Sequence, residues 1–245
     1  MASILITGCS RGIGLELTKL YSLLTDVSIV FATARSLTPA LQEVIDSSSD
    51  RVQFISLDVT KDDSITAAVQ EVTEKLGPRR GLDILVNKAG IQVLEKDGAT
   101  HMHALEETFT VNVVSVHKVS AAFLPLLICG TQKKIIVVTS ELGSMAMKEN
   151  FALAPFPSYK ISKAALNMLM ILYAIELGPK GFTVFAVNPG WLKTDMGSQY
   201  ANFEPVVGAR QVVEIIQTST SADNGSTCNI YVEGWKIYDG KNLPW

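Results

Sequence analysis

The sequence predicts an α/β fold in a single domain spanning residues 1–245, with a doubly wound, mostly parallel sheet of about seven strands and helices on both faces. Short β-branched runs alternate with longer segments of helical period along the whole chain. Apolar strands such as Ile135–Val138 are continuous rather than alternating, as expected when both faces of the sheet are covered. No repeat, low-complexity tract or linker divides the chain, so one domain is expected.

The elements follow one another in strand–helix order, which implies right-handed crossovers. The predicted strands, rich in β-branched and apolar residues, are Ser3–Thr7, Val27–Ala34, Val52–Leu57, Leu82–Asn87, Lys134–Thr139, Thr183–Asn188 and Thr227–Val232. The predicted helices are Gly12 to about Leu24, a short one around Ala40–Ile45, Asp62–Leu76, Leu105–Leu127, Tyr159–Leu177 and Pro205–Thr218. Asp62 or Asp63 is a suitable N-cap for the third helix.

Composition excludes several classes of protein. Hydrophobic residues make up 47% and charged residues 18% of the chain, which predicts a sizeable core and argues against disorder. The formal charge of −3 argues against nucleic acid or an anionic membrane as the main partner. No apolar run approaches the roughly 20 residues of a membrane span, and no signal peptide precedes the first strand.

Three scattered cysteines, Cys9, Cys129 and Cys228, suit a reducing compartment without a disulfide framework, so a cytoplasmic protein is expected. Cys9 lies in a glycine-rich turn, where it is either a reactive thiol or a small filler. His101 and His103 form an H-x-H pair without further ligands, so we expect exposed residues and no metal site.

The most informative pair is Tyr159 and Lys163, which lie four residues apart in a predicted helix and therefore share one face. A phenol has a pKa of about 10, and a neighbouring ammonium favours the phenolate, which makes the pair a device for proton transfer. Taken alone, the pair is weak evidence, because such a spacing is more typical of a solvated helix face.

The first strand is followed by a turn with glycines at Gly8, Gly12 and Gly14, which opens the first helix. Glycines there allow a tight turn and close approach of the backbone to a pyrophosphate, while Ser10, Arg11 and Ile13 lie at the helix start, where N–H groups bind phosphate. The spacing is G-x-x-x-G-x-G rather than G-x-G-x-x-G. The turn therefore predicts dinucleotide binding.

The end of the second strand indicates whether the bound dinucleotide is NAD(H) or NADP(H). A carboxylate there would bind the 2′-hydroxyl of the adenosine ribose, but Arg35 occupies the position and Arg11 lies in the glycine turn. Two guanidinium groups favour a 2′-phosphate, so NADP(H) is expected rather than NAD(H).

These motifs resemble the classical short-chain dehydrogenase/reductase family in order and over nearly the whole chain, which implies a Rossmann fold. The matching positions are Gly8 to Gly14, Asp58 and Val59 after the third strand, Asn87 with Ala89 and Gly90 after the fourth, Asn112, Ser140, Tyr159, Lys163, and Pro189, Gly190, Leu192 and Thr194 after the sixth. Three runs resemble the Sniffer and C-factor type of carbonyl reductase: Ser3–Cys9, Pro189–Met196 and Tyr238–Trp245. Lys88 departs from the family, which has a second Asn there.

The resemblance implies NADPH-dependent reduction of aldehydes, ketones or quinones. Ser140 would donate a hydrogen bond to the carbonyl oxygen and Tyr159 would be the general acid. Lys163 would lower the pKa of Tyr159 and bind the nicotinamide ribose, and Asn112 would hold a water. Ser140 could instead be a strand-end cap, and Asn112 an ordinary buried amide.

Other functions remain open at this stage. An NADP-binding signalling or redox-sensing protein with little turnover, and an NADP-linked alcohol dehydrogenase working in oxidation, fit the same motifs. Apolar residues between Ser140 and Tyr159 predict either a rim for hydrophobic carbonyls or a self-packed surface loop; they are Met145, Met147, Phe151, Leu153 and Phe156. Family members are commonly homodimers or homotetramers through the two long helices.

Overall fold

The fold is built on seven strands whose neighbours all run parallel. The computed structural model describes residues 1–245. The strands are β1 (Ala2–Thr7), β2 (Val27–Ala34), β3 (Val52–Ser56), β4 (Ile84–Asn87), β5 (Lys134–Val138), β6 (Thr183–Asn188) and β7 (Thr227–Asn229). Their order in the sheet is β3-β2-β1-β4-β5-β6-β7. The predicted Rossmann-type sheet is confirmed, and it is parallel throughout.

Helices connect successive strands. They are α1 (Gly12–Leu23), α2 (Pro39–Ser47), α3 (Asp62–Leu76), α4 (Leu105–Phe109), α5 (Ser115–Ile128), α6 (Pro157–Leu177) and α7 (Pro205–Thr218). A π-helical turn, Thr110–Val114, joins α4 to α5 without a break. Short 3₁₀ helices occupy Ala99–His101, Glu141–Gly143, Lys148–Phe151, Gly178–Lys180 and Ser221–Asp223.

Several bounds differ from the predictions by one or two residues, and three further details differ more substantially. The N-cap of α3 is Lys61, and both Asp62 and Asp63 lie in the first turn, where carboxylates favour the positive end of the helix dipole. The last strand ends at Asn229, three residues early, because Gly240 rather than a further strand bonds the carbonyl of Ile230. The long predicted helix contains the π turn, which hydrophobic periodicity does not reveal.

The core lies on the two faces of the sheet. On β1, Ile4 and Ile6 point to the face covered by α1, α2 and α7, whereas Leu5 points to the face covered by α3, α5 and α6. All three side chains are fully buried. Burying a side chain of this size stabilises the fold by about 1.5–3 kcal/mol, which explains why these strands show continuous rather than alternating apolar residues.

The strand order reverses beside β1, since the chain leaves β1 toward β2 on one side and later returns to β4 on the other. Connections from β1 and β4 therefore diverge at the carboxyl end of the sheet and leave a crevice between them. In open α/β sheets, ligands bind at this point.

Two helical stretches, Leu105–Ile128 and Pro157–Lys180, are long and apolar enough to cross a membrane by length and composition alone. Both pack one face against the sheet, in the core that contains Val119 and Leu166. Core helices of this kind pass the same test, so the finding is weak evidence for a membrane span.

Candidate active site

A cleft of about 1350 Å³ opens at the carboxyl ends of the strands. It is lined by most of the predicted site residues, namely Gly8, Ser10, Arg11, Gly12, Ile13, Arg35, Asp58, Val59, Ala89, Gly90, Ser140, Tyr159, Lys163, Pro189, Gly190, Leu192 and Thr194. Three predicted residues, Gly14, Asn87 and Asn112, lie behind the wall and shape it.

The glycine turn has the backbone geometry that its sequence predicts. Gly8 and Gly12 adopt φ angles of +77° and +57°, which side-chain-bearing residues rarely adopt. A Cβ at Gly14 would lie 2.2 Å from the carbonyl oxygen of Gly8, so only glycine allows α1 to begin this close to the turn. Cys9 is fully buried, and burial raises the pKa of its thiol to about 11, which favours the filler interpretation over a reactive thiol.

Thr7, which the sequence analysis did not single out, joins the turn to the segment after β4. Its hydroxyl oxygen accepts hydrogen bonds from the backbone N–H groups of Lys88 and Ala89, each at 2.9 Å. The side chain of Lys88 then runs beside Gly14 and donates from Nζ to the Gly8 carbonyl at 3.4 Å. A polar residue at the end of β1 was the available signal for Thr7.

Asn87 braces the sheet from the opposite face, because its amide donates to the hydroxyl of Ser120 on α5 at 3.0 Å. The side chain is buried and points away from the cleft. Its predicted contribution to cofactor binding is therefore indirect, through the position of Ala89 and Gly90.

Arginines occupy the adenosine end of the cleft. Arg35 is exposed at the carboxyl end of β2. Arg11 forms an ion pair with Asp195 at 3.1 Å, and both side chains are about three-quarters exposed. Solvent therefore screens the attraction, and the pair is easily broken. The pKa of Asp58 is lowered chiefly by hydrogen bonds from the side chain and backbone of Thr60, with a smaller contribution from the charge of Arg35.

The cleft fits a nicotinamide dinucleotide on chemical grounds. Six cationic side chains line it, and neither Lys88 nor Lys163 among them has a carboxylate partner in the ion pairs of the chain; the other four are Arg11, Arg35, Lys61 and Lys193. Cations without a counter-charge, beside a turn of glycines at a helix N-terminus, are the arrangement that binds phosphates.

Tyr159 and Lys163 share one face of α6, as the spacing predicts. The ammonium of Lys163 lies 5.5 Å from the centre of the Tyr159 ring and donates to the carbonyl oxygen of Val138 at 2.8 Å. Both side chains are buried. Burial lowers the pKa of Lys163 to about 7, and the positive charge of Lys88 acts in the same direction.

The expected lowering of the Tyr159 pKa by Lys163 is not what this arrangement produces. Burial and the nearby charge of Glu141 raise the pKa of Tyr159, and a hydrogen bond from Ser140 opposes them only in part. Desolvation dominates because the phenol is enclosed and Lys163 is itself driven toward its neutral form. Glu141, which the sequence analysis missed, is a buried carboxyl beside the predicted proton donor, and burial raises its own pKa.

Ser140 caps a short helix and also neighbours the predicted proton donor. Its hydroxyl oxygen accepts a hydrogen bond from the backbone N–H of Leu142 at 3.2 Å and so caps the 3₁₀ helix after β5. The same hydroxyl lies beside the phenol of Tyr159, in the wall of the cleft.

Asn112 sits in the middle of the π turn and is fully buried. Its Oδ1 accepts from the N–H of Ile91 at 2.8 Å, and its Nδ2 donates to the carbonyl of Ile91 at 2.9 Å and to the hydroxyl of Ser162 at 3.0 Å. The amide therefore ties the segment after β4 to the helix that carries Tyr159. π turns are frequent at functional sites.

The loop after Ser140 is only partly an apolar rim. Phe151 and Phe156 line the cleft, whereas Leu153 is 97% exposed and Met145 71% exposed.

His103 is mostly exposed, and no group of His, Cys, Asp or Glu side chains in the chain could hold a metal ion.

Comparison with known proteins agrees with this geometry. A family model described as short chain dehydrogenase matches residues 2–205, and the chain belongs to the short-chain dehydrogenase/reductase family, whose members are nicotinamide-dependent oxidoreductases.

Within the family the chain is of the Sniffer and C-factor type. It is similar to the NADPH-bound carbonyl reductase from chicken fatty liver, with 29% identity, a TM-score of 0.88 and coverage of 100% of this chain and 99% of that one. It is also similar to the carbonyl reductase Sniffer of D. melanogaster, with 30% identity, a TM-score of 0.88 and full coverage of both chains. C-signal of Myxococcus xanthus is 30% identical over 67% of this chain and 93% of its own length.

Proposed function

We propose that this protein reduces the carbonyl group of aldehydes, ketones or quinones to an alcohol with NADPH. The observation that carries the proposal is the convergence of Ser140, Tyr159 and Lys163 on one cleft with the glycine turn and Arg35. The similarity to an NADPH-bound carbonyl reductase supports it, since that chain covers the whole of this one.

Bound NADPH would supply the hydride, and the protein would supply the proton. Tyr159 donates its phenolic proton to the carbonyl oxygen, and its raised pKa keeps the phenol protonated, as a general acid requires. Ser140 donates a hydrogen bond to the same oxygen and stabilises the negative charge that develops there.

Lys163 returns a proton to Tyr159 after turnover. Its pKa of about 7 lets the ammonium give up a proton near neutral pH, and its Nζ lies 5.5 Å from the centre of the Tyr159 ring. The water that we expect Asn112 to hold, which would connect Lys163 with solvent, has to share the Asn112 amide with Ile91 and Ser162.

The direct test is NADPH oxidation, followed at 340 nm, against a panel of aldehydes, ketones and quinones, with NADH as the control. We expect turnover with several apolar carbonyls and a clear preference for NADPH. NADPH binding without turnover of any carbonyl would instead indicate the signalling or redox-sensing alternative.

Tyr159→Phe should lower kcat by about 10²–10⁴, the usual contribution of a general acid, while NADPH still binds. Tyr173→Phe is a matched control, because Tyr173 lies on the same helix but its hydroxyl bonds His117, away from the cleft. Near-normal turnover by Tyr159→Phe would contradict the assigned role.

A further inference from the structure

The carboxylate of Glu95 joins two segments that lead into helices lining the cleft, α4 and α6. Its Oε1 accepts hydrogen bonds from the backbone N–H groups of His103 at 2.9 Å and Ala104 at 3.1 Å. Its Oε2 accepts from the backbone N–H of Ser158 at 3.1 Å. The backbone N–H of Glu95 also donates to the carbonyl of Pro155 at 2.9 Å, so the residue is held from both directions.

This carboxylate is buried without a Lys or Arg partner. Glu95 is 2% exposed, and the imidazole of His103, 3.8 Å away and mostly exposed, is the nearest basic group. Burial alone would raise the pKa of Glu95, but hydrogen bonds from Ser158, Ala104 and His103 outweigh it and lower the pKa to about 2. Backbone N–H groups at the starts of α4 and α6 thus stabilise the charge.

The two bridged segments both carry residues of the cleft. Ser158 directly precedes Tyr159 in α6, and Pro157 at the first position of that helix cannot donate a hydrogen bond. On the other side, His103 and Glu106 line the cleft beside α4. No other side chain forms hydrogen bonds to both helix starts.

We propose that Glu95 is a positioning residue for Tyr159, which fixes the start of α6 against the start of α4 and so sets the position of the proton donor in the cleft. It does not touch the reacting atoms. A displacement of a catalytic group by about 1 Å can cost about 10²-fold in rate, so a loosened start of α6 affects turnover more than cofactor affinity.

The chain offers a matched control in Asp83, at the other end of β4. Asp83 is also buried, and its carboxylate accepts from Ser3 and from the backbone of Thr131 at 2.7 Å and Gln132 at 3.3 Å. It lies at the amino end of the sheet and does not line the cleft. Asp83→Asn therefore reproduces the loss of a buried, multiply bonded carboxylate without altering the catalytic wall.

The positioning role is tested on Glu95→Gln and Asp83→Asn by backbone hydrogen exchange and by kinetics. In Glu95→Gln the amide nitrogen, which cannot accept a hydrogen bond, faces one of the two sets of N–H donors. We therefore expect backbone exchange at residues 158–163 to be about tenfold faster in Glu95→Gln and unchanged in Asp83→Asn. At saturating NADPH we expect kcat to fall about tenfold or more in Glu95→Gln only, with NADPH affinity kept.

Unchanged exchange at residues 158–163 in Glu95→Gln, or equal losses of kcat in both variants, would overturn the proposal. If Glu95→Gln does not fold, Glu95→Asp replaces it, because the shorter carboxylate keeps the charge but cannot reach both helix starts. The consequence for kcat rests on the proposed function, whereas the exchange measurement does not. If the wild type shows no turnover, the proposed function is refuted, and the hydrogen-exchange measurement alone decides the role of Glu95.

Discussion

The phenol of Tyr159 is enclosed by one acidic and one polar neighbour, and these set its proton affinity more than the lysine beneath it. Burial raises the pKa of Tyr159 most, the charge of Glu141 raises it further, and a hydrogen bond from Ser140 lowers it. Neither the role of Glu141 nor its burial follows from a motif, because the motif includes the serine at the strand end and not the residue after it. The pairing of Tyr159 with Lys163 could be predicted from spacing, whereas the direction of the pKa shift required the surrounding packing.

Glu141→Gln should lower the pKa of Tyr159, because it removes a negative charge that disfavours the phenolate. Alcohol oxidation requires the phenolate as base, so we expect its pH–rate profile to shift to lower pH. The profile is measured as kcat/KM with NADP⁺ against pH, with the exposed Glu149→Gln as control. A profile that does not move would show that Glu141 is uncharged throughout the titration.

Arg35→Asp should reverse the preference for the phosphorylated cofactor. The change removes the guanidinium at the end of β2 and introduces a carboxylate that repels a 2′-phosphate and can bind a ribose 2′-hydroxyl. We expect the ratio of NADPH to NADH affinity, measured by fluorescence titration, to fall at least about tenfold. Arg210→Asp, on α7 and outside the cleft, is the control. An unchanged ratio would remove Arg35 from the site.

Elements with a strong hydrophobic pattern match their predicted bounds closely, as in β2, α3, β6 and α7. The π turn at Thr110–Val114 is the element that sequence could not predict, since one extra residue in a turn leaves the apolar pattern on both sides almost intact. It is specified by long-range bonds of Asn112 to Ile91 and Ser162, which local propensity does not encode. Site residues in loops could be predicted because they belong to sequence motifs. Glu95 and Thr7 could not, because their roles depend on hydrogen bonds to distant backbone groups, which local sequence does not encode.

Asn112→Ala should destabilise the fold, because it leaves the N–H and carbonyl of Ile91 and the hydroxyl of Ser162 without their partner. With about 0.5–1.5 kcal/mol per hydrogen bond, the expected loss is about 2–4 kcal/mol. Urea unfolding followed by circular dichroism measures it, with the exposed Asn150→Ala as control. A loss below about 1 kcal/mol would mean that water replaces the amide.

At the scale of the whole molecule, α6 leaves an apolar stripe uncovered on the side away from the sheet. Ile161, Met168, Leu172 and Ile175 are 41%, 59%, 56% and 68% exposed. Their spacing of seven, four and three residues puts them on one face of the helix. This face coincides with the region through which we expect two or four copies to associate.

Leu172→Glu should dissociate the expected oligomer, because a carboxylate in the centre of an apolar interface is costly to bury. Analytical ultracentrifugation would then show the monomer mass of 26.5 kDa in place of a multiple of it. Leu23→Glu, at an exposed position at the end of α1, is the control. A wild-type protein that is already monomeric would contradict the expectation.

The central position of β1 also governs how quickly the chain can fold. Ile4 pairs with Ile84, and the hydroxyl of Ser144 bonds the carbonyl of Pro244 across a separation of 100 residues. Contacts between distant parts of a chain form only after the entropy of closing a large loop has been lost, so such topologies fold slowly. The glycine turn acquires its partner segment only when β4 docks, and the loop behind Ser140 is held only once residues 100 positions further along the chain have reached it.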